Sequence, residues 1–504
     1  VILVSYSDSR FFTSQSIIDD MMNASDYTYE GATGSVNQYF SDQSDGQYTP
    51  YFDVVGPVTL SNPVAHYGDN GNNGDDVLPG DMVVEACSIA NATLDVDFSQ
   101  YDNDGDGYVD FVYIIYAGKG EADGGAEHTI WPHNWNLASA YYFGNCTYSE
   151  SQRRFDGKYV DNYACSGELN GSTNKLAGIG TFAHEFTHVI GLPDLYDVNY
   201  GDNYRDSRTP GNWHVMDGGS YNNEGKTPPN YSIYDKYFIG WNTPVNPGET
   251  SQEISLYAPS SDLYNGYQLA TSTSLLSATS SNVVYYIENR QQTGWDVHLP
   301  GHGMLIWQVR YNARAWQDNA VNTSSGSPRY TIVSATGSTT DIGYYASDPF
   351  PGSYGVTSWY GLTGRSLTQI SESGKVVSLT YKADAISSES YTYTIRVQLD
   401  DACDMDLYNG LYLWWWSEQD SSVGNEFVAT TWQDGWYTAT ITSTATAISC
   451  LVANGNDWLD GPKQTVDFVN ITGDICLEIG PAEYVYNNKY NLYETSCVAA
   501  PCYT

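Results

Sequence analysis

The sequence predicts an α+β domain over residues 1–245, then a β-rich domain packed on it (246–385), then a β-sandwich (386–504). Helix and strand patterns are mixed only in the first segment. From about residue 246 onward, short alternating runs of Ser, Thr, Tyr and Val are separated by turn residues, which is typical of sheets. The polar stretch KADAISSE at 382–389 is typical of a linker. We therefore expect no helix after about residue 240.

The strongest helix pattern in the chain covers residues 176–190. Its apolar residues recur at steps of three and four, which places them on one face. Thr173 or Asn174 is available to cap its start, and Gly191 followed by Pro193 predicts its end.

Two further elements are predicted in the first domain. Apolar residues at helical spacing over 14–22 predict a helix with Ser14 available as its cap. The continuous apolar run at 111–116 predicts a strand that is buried on both faces. Together with the helix at 176–190, they support a mixed α+β domain.

The chain is strongly acidic. Its 504 residues include 60 Asp and Glu against 20 Lys and Arg, a formal net charge of −40 at pH 7. No basic stripe is present to displace counterions from a phosphate backbone, and the charge also opposes an anionic membrane surface. No apolar run approaches the roughly 18–20 residues that span a bilayer. We expect a monomer with no nucleic acid partner and no membrane insertion.

The amino terminus and the cysteines favour a secreted or cell-surface protein. The first eight residues, VILVSYSD, lack the basic region and the cleavage site of a signal peptide and predict a core strand. We expect a mature chain whose targeting sequence and propeptide precede it. The eight cysteines form no Cys-x-x-Cys pair, which argues against a zinc ribbon, and their even number fits an exported protein.

The helix at 176–190 carries a His-Glu-x-x-His motif. His184 and His188 lie four residues apart, so a helix presents both imidazoles to one metal ion. Glu185 can reach a water molecule beside that metal. A catalytic zinc site needs three protein ligands and an open fourth position. The motif predicts such a site with Glu185 as general base; two spectator histidines on the polar face of a core helix are the alternative.

The turn after the helix predicts the third zinc ligand. Gly191 permits a positive φ angle and turns the chain back. The residue three positions further on then faces the same metal, and this residue is Asp194. Asp197 and Glu224 remain alternatives.

A methionine precedes a glycine-rich turn about thirty residues beyond the helix. Met216, in the run GNWHVMDGGSY at 211–221, is predicted to form the Met-turn that zinc peptidases of the metzincin type carry beneath the metal. An ordinary loop methionine is the alternative. Tyr221 is a candidate to stabilise an oxyanion over the zinc, and His214 is as readily a structural residue.

A calcium loop is predicted at residues 101–110, YDNDGDGYVD. Asp102, Asp104, Asp106 and Asp110 supply oxygen atoms at positions 1, 3, 5 and 9, with glycine at position 6 and the Tyr108 carbonyl at position 7. Position 12 is Tyr and no helix follows, so a regulatory EF-hand is excluded. Aspartates so close repel one another without a cation, which favours structural Ca²⁺ over a solvated turn.

Over most of residues 1 to about 380, the chain resembles the immune inhibitor A-type secreted metallopeptidases, a metzincin-like family. The blocks that carry the resemblance are GSVNQYF (34–40), VDFSQYDNDGDG (96–107), YAGKGE (116–121), IWPH (130–133), HEFTHVIGLPDLYD (184–197), VMDG (215–218), YFIGW (237–241), IENR (287–290) and LPGHGMLIW (299–307). The resemblance implies a metzincin-like zinc endopeptidase made as a precursor with an inhibitory propeptide. It further implies zinc on His184, His188 and Asp194, Glu185 as general base, and structural calcium near residues 102–110. Most metzincins have His where this chain has Asp194, a departure that bears on zinc affinity.

The last region resembles a starch-binding-type carbohydrate module instead. The resemblance is carried by LYLWWW (411–416), WQDGWYTATI (432–441) and NGNDW (454–458). Aromatic faces would stack on sugar rings there. The alternative is that the aromatic residues fill the core of a β-sandwich, since at least one of three consecutive tryptophans must point inward.

These observations lead to a function hypothesis with one rival. The hypothesis is a secreted zinc-dependent endopeptidase that hydrolyses protein or peptide substrates and is tethered to a polysaccharide or other glycan by its carboxy-terminal domain. The rival is a non-catalytic, glycan-binding surface adhesin that keeps the peptidase domain as a scaffold.

Overall fold

The computed structural model describes residues 1–71, 74–199, 209–271, 274–323, 328–338, 342–383, 391–400, 403, 405, 407, 410–417, 424–456, 463–482 and 489–497. We call residues 1–245 the amino-terminal part, 246–383 the middle part and 391–497 the carboxy-terminal part. No helix within these described ranges is both long and apolar enough to cross a membrane.

The amino-terminal part combines a five-stranded sheet with helices. Its strands are β1 (Ile2–Ser5), β2 (Val55–Thr59), β3 (Val112–Lys119), β4 (His133–Asn136), β5 (Arg154–Phe155), β6 (Lys158–Tyr159) and β7 (Asn162–Leu169). Its helices are α1 (Gln15–Asn23), α2 (Val36–Gln43), α3 (Val64–Gly68), α4 (Pro79–Leu94), α5 (Leu137–Phe143), α6 (Ile179–Val189) and α7 (Ile233–Ile239). Short 3-10 helices lie here at Tyr29–Gly31, Phe98–Tyr101, Glu150–Gln152, Gly211–Trp213 and Gly218–Tyr221.

The sheet has the order β2-β1-β3-β7-β4, and β5 pairs with β6 separately. Strands β2, β1, β3 and β7 are parallel, and β4 pairs antiparallel with β7 at the edge. The predicted strand at 111–116 is observed as β3, whose first six residues are all buried, as a strand covered on both faces requires.

The predicted helices form, but their capping differs from the prediction. Helix α6 starts at Ile179 with Gly178 as its N-cap. Thr173 and Asn174 do not cap it, because they belong to a preceding turn in which the Asn170 side chain accepts hydrogen bonds from the backbone N–H groups of residues 172 and 173. Ser14 is the N-cap residue of α1, but its side chain makes no capping hydrogen bond.

The middle part contains two four-stranded sheets. Its strands are β8 (Gln252–Leu256), β9 (Gly266–Leu269), β10 (Val284–Arg290), β11 (Gly303–Val309), β12 (Tyr330–Ile332), β13 (Trp359–Leu362), β14 (Arg365–Ser373) and β15 (Val376–Ala383). The sheet orders are β12-β11-β10-β9 and β13-β14-β15-β8. It also has a 3-10 helix, Gly294–Asp296, and an α-helix, α8 (Ala313–Gln317). The expectation of no helix after residue 240 is therefore wrong, because a five-residue helix capped by the Asn312 side chain is too short to show apolar periodicity.

The sheet β12-β11-β10-β9 is buried on both faces. Along β10, Val284 and Tyr286 belong to the core of the amino-terminal part, whereas Tyr285 and Ile287 belong to a second core shared with the other sheet. This alternation follows from the two-residue period of a strand. The core of the amino-terminal part thus continues beyond residue 245.

The carboxy-terminal part has two sheets with a core of their own. Its strands are β16 (Tyr391–Leu399), β17 (Tyr412–Trp416), β18 (Gly424–Ala429), β19 (Thr431–Gln433), β20 (Trp436–Ser443), β21 (Ile448–Ala453), β22 (Phe468–Ile471), β23 (Ile475–Ala482) and β24 (Tyr490–Glu494). The sheet orders are β19-β20-β16-β23-β24 and β18-β17-β21-β22. A disulfide joins Cys476 to Cys497. Most of the predicted linker at 382–389, together with Trp458, lies outside the described residues.

Candidate metal centre

Helix α6 presents the His-Glu-x-x-His residues on the side opposite to its apolar face. Phe182, on the apolar face, stacks on Tyr113 of strand β3 with ring centroids 3.9 Å apart. The other side bears His184, Glu185 and His188, of which one ring nitrogen per histidine and one Glu185 carboxylate oxygen lie within 4.8 Å of one another. Packing on the sheet therefore fixes how these three side chains face.

Two glycines set the position of α6 and of the turn after it. A Cβ on Gly180 would lie 1.9 Å from the carbonyl oxygen of Ser220, so only glycine lets the first turn of the helix approach the 218–221 segment this closely. Gly191 has a φ of 103°, in the left-handed region that stops the helix. The chain then turns back and brings Asp194 to the two histidines.

The two histidines and Asp194 converge on one point. Asp194 Oδ1 lies 2.9 Å from His184 Nε2 and 3.3 Å from His188 Nε2. Ligands about 2.0–2.1 Å from a tetrahedral zinc ion are roughly 3.3 Å apart, so this spacing suits a shared ion. The same Asp194 Oδ1 is buried and has no hydrogen-bond partner. A metal ion is the partner that this donor set fits.

Backbone carbonyl groups orient both imidazoles. His184 Nδ1 lies 2.9 Å from the carbonyl oxygen of Val215, and His188 Nδ1 lies 2.8 Å from that of Leu192. Each contact has the Nδ1–H donating, which leaves the Nε2 lone pair of each ring available to a metal. The turn after α6 thus supplies both a carboxylate and the carbonyl that orients His188.

Asn319, just after α8 in the middle part, holds the Asp194 carboxylate. Its Nδ2 donates to Asp194 Oδ2 at 2.6 Å, and its Oδ1 accepts from the Asp194 backbone N–H at 2.7 Å. Hydrogen bonds of this kind keep a ligating carboxylate in place. Nothing in the sequence pointed to Asn319, because the two residues are 125 positions apart in the chain.

Close contact among these groups shifts their ionisation. Burial by itself lowers the pKa of His184, but the close contact of its ring with the Asp194 carboxylate and the negative charge of this carboxylate raise it to about 9. Burial raises the pKa of Asp194, but the charges and close contacts of both histidines hold it well below its ordinary value. Burial raises the pKa of Glu185, against the pull of the same histidines.

The alternative third ligands do not reach the histidines. The Asp197 carboxylate accepts a hydrogen bond from the backbone N–H of Asn199 at 3.0 Å. Glu224 is half exposed and forms an ion pair with Lys226 at 2.9 Å. Of the three candidates, the structure brings only Asp194 to His184 and His188.

The segment around Met216 lies directly against the centre. Met216 is fully buried, and its carbonyl oxygen accepts from the Leu195 backbone N–H at 2.9 Å, next to Asp194. His214 is structural: its Nε2 contacts Asp235 Oδ2 at 2.6 Å, and its Nδ1 accepts from the Met216 backbone N–H at 3.0 Å.

Tyr221 does not line the cleft around the centre. It is 52% exposed and ends a 3-10 helix that packs against the start of α6, two turns before His188. The tyrosine that does line the cleft is Tyr196, whose ring stacks on His184 with centroids 6.3 Å apart. A single sequence offers no means to rank Tyr196 above Tyr221.

The centre opens into a cleft of about 840 Å³ with walls from two parts of the chain. One wall is the segment 131–136, which includes edge strand β4 and two tryptophans, Trp131 and Trp135. The other wall includes Tyr311 and Trp316 from the middle part. The middle part therefore completes the site rather than only supporting it.

The predicted calcium loop is partly assembled. Carboxylate oxygen atoms of Asp102, Asp104 and Asp110 lie within 4.8 Å of one another. Asp106 is not among them; its carboxylate accepts from the Tyr108 backbone N–H at 2.8 Å.

A lysine side chain already supplies positive charge to this loop. Lys158 Nζ lies 2.5 Å from Asp102 Oδ2, and this contact holds the pKa of Asp102 below its ordinary value. Calcium at this loop therefore stays a prediction, and a calcium titration of the melting temperature tests it.

Comparison with known proteins assigns the amino-terminal part. Residues 8–243 match the family model of the immune inhibitor A peptidase M6 catalytic domain. This segment, 236 of the 504 residues, is therefore similar to the catalytic domains of that family. The matched segment contains α6, Asp194 and Met216, whereas Asn319, Tyr311 and Trp316 lie beyond its end.

Curated relatives match over the same region. Immune inhibitor A of Bacillus thuringiensis subsp. alesti is 30% identical over 223 residues, 40% of this chain and 31% of that protein. Pre-pro-metalloprotease PrtV of Vibrio cholerae is 29% identical over 240 residues, 43% of this chain and 25% of that protein. A protein of Arthroderma benhamiae named as a secreted metallopeptidase is 32% identical over 92 residues, 16% of this chain and 13% of its own. The chain thus spans less than a third of the length of these relatives.

Proposed function

We propose that this chain is a secreted zinc-dependent endopeptidase, with zinc held by His184, His188 and Asp194. The observation that carries the proposal is the buried Asp194 Oδ1, which lies 2.9 and 3.3 Å from the two histidine Nε2 atoms and has no hydrogen-bond partner. When bound in such a site, zinc lowers the pKa of a water molecule towards about 7 and polarises the carbonyl of the bond to be broken.

Glu185 is the general base in this proposal. Its carboxylate accepts a proton from the attacking water and then donates that proton to the leaving amine, while the Val215 and Leu192 carbonyl groups keep the imidazoles oriented. Strand β4 pairs only with β7 in the described sheet and lines the cleft, so its free edge is suited to hold an extended peptide.

The fold assignments that accompany this proposal are a metzincin-like peptidase domain with Met216 as its Met-turn, a β-rich domain over residues 246–385, and a β-sandwich over residues 386–504. Two sheets around one core in the carboxy-terminal part support the sandwich. The names of PrtV and of the Arthroderma benhamiae relative, a pre-pro-protein and a secreted protein, support synthesis as a precursor and an extracellular location. We expect a monomer.

Metal analysis of the purified chain tests the proposal. We expect about one zinc ion per chain, hydrolysis of casein or a quenched peptide, and loss of this hydrolysis on chelation that zinc restores. A chain that carries no zinc and hydrolyses nothing, yet is retained on glycan, would instead support the non-catalytic adhesin.

A second candidate function, glycan tethering, is supported by exposed aromatic residues in the carboxy-terminal part. Trp415 and Trp436 are buried core residues, so they cannot meet a sugar. Trp432 is 58% exposed, and its ring lies 4.7 Å from that of Tyr437. We therefore propose Trp432 as the stacking residue.

Retention of the full chain on insoluble starch tests this candidate. We expect Trp432→Ala to be retained less than the unaltered chain, because the stacking face is gone, whereas Trp131→Ala, at the zinc cleft, is the matched control. Equal retention of the Trp432→Ala variant would remove Trp432 from the glycan site.

A further inference from the structure

A second cavity, of about 640 Å³, adjoins the cleft of the metal centre. Trp131, His133 and Trp135 line both cavities, so the segment that contains β4 separates them. A peptide lying along the edge of β4 would carry one of its side chains into this second cavity. The cavity is therefore placed to act as a subsite for the substrate.

Asp76 lies in the wall of the second cavity with one carboxylate oxygen unsatisfied. Its Oδ2 accepts a hydrogen bond from the Trp131 backbone N–H at 2.9 Å, whereas its buried Oδ1 has no partner. Only 7% of Asp76 is exposed. Burial raises the pKa of Asp76 to about 7, against the Trp131 hydrogen bond, and the charges of Glu121 and Asp75 add to the rise. A carboxylate in this position lacks a cation.

The rest of the wall suits a long side chain with a positive end. Trp131 is 41% exposed, and with Trp135 it offers aromatic surface to an aliphatic stem and to a cation. No Lys or Arg is found among the described residues that line the cavity. The net charge of −40 also favours the approach of a basic peptide.

We infer that this cavity binds a lysine or arginine side chain of the peptide substrate, with Asp76 as its counter-ion. The inference rests on the proposed peptidase function and names the class of substrate that the centre prefers. Asp76 acts here in substrate recognition and takes no part in the chemical step.

Matched quenched peptides that differ only by Lys or Met at a single position test the inference. The variable position is moved through three residues on each side of the cleaved bond, and kcat/KM is measured. We expect a preference for Lys at one position. Asp76→Asn should lower this Lys-to-Met ratio by about 10- to 100-fold, the loss expected for one charge-assisted hydrogen bond. Glu127→Gln removes an exposed charge outside the cavity and should leave the ratio unchanged.

Binding of the same peptides to the Glu185→Gln variant separates this inference from the peptidase function. Selective binding of the Lys peptide without hydrolysis by the unaltered chain would support the subsite and contradict the peptidase. No preference for Lys in either binding or turnover would overturn the subsite even if hydrolysis is intact. This comparison does not use the Asp76→Asn variant, so it does not depend on whether that variant folds. An Asp76→Asn ratio equal to that of the unaltered chain would overturn the role of Asp76.

Discussion

Replacing Glu185 with alanine is expected to lower turnover of casein or a quenched peptide by about 100- to 10,000-fold while zinc stays bound. Glu185 lies beside the two histidines, but Asp194 Oδ1 is the third atom that converges with their two Nε2 atoms, and we propose it as the third ligand. The variant therefore loses the group that moves the proton and keeps the donor set. Steady-state turnover and zinc content of the same preparation are the two measurements.

The matched control for this variant is Glu249→Ala, which removes an exposed glutamate of the middle part. We expect its turnover and its zinc content to equal those of the unaltered chain. Wild-type turnover by Glu185→Ala would contradict the assignment of the general base. Loss of zinc along with activity would mean that Glu185 helps to hold the metal.

Replacing Arg290 with methionine is expected to lower the free energy of unfolding by about 3–5 kcal/mol. Arg290 is completely buried at the end of β10. Its guanidinium donates to both carboxylate oxygens of Asp296 and to the Asn230 carbonyl oxygen, and it lies 3.5 Å from Glu288 Oε1. Without it, two buried carboxylates lose their cation. The network also joins the middle part to the segment before α7.

Calorimetric melting measures this effect, because each kcal/mol shifts the melting temperature of a domain of about 150–250 residues by roughly 2–4 °C. Arg314→Met is the matched control. The Arg314–Asp318 pair, 3.2 Å apart, is more than half exposed on both sides, and such pairs contribute about 0–1 kcal/mol. Equal shifts for the two variants would contradict a stabilising role for the buried network.

The convergence of side chains at the candidate metal centre could largely be predicted because most of them lie close together in the chain. His184, Glu185 and His188 share two turns of a helix whose apolar periodicity is plain in the sequence. Gly191 and Asp194 follow within six residues, so the turn geometry could be inferred locally. The carboxylates of the predicted calcium loop come together only in part, and Lys158, from β6, contacts Asp102; calcium itself stays a prediction.

By itself, the sequence determined the helix with its two histidines, the glycine turn after it, the buried strand β3 and the β-rich texture beyond residue 245, and it left Asp194, Asp197 and Glu224 as candidates for the third ligand. Periodicity and turn chemistry act over a few residues, so they can be recognised without a fold. Only the tertiary structure decided that Asn319 holds Asp194, that Tyr196 rather than Tyr221 faces the cleft, and that Asp76 lies next to it. These contacts depend on how helices and sheets pack, and that of Asn319 with Asp194 joins residues 125 positions apart in the chain.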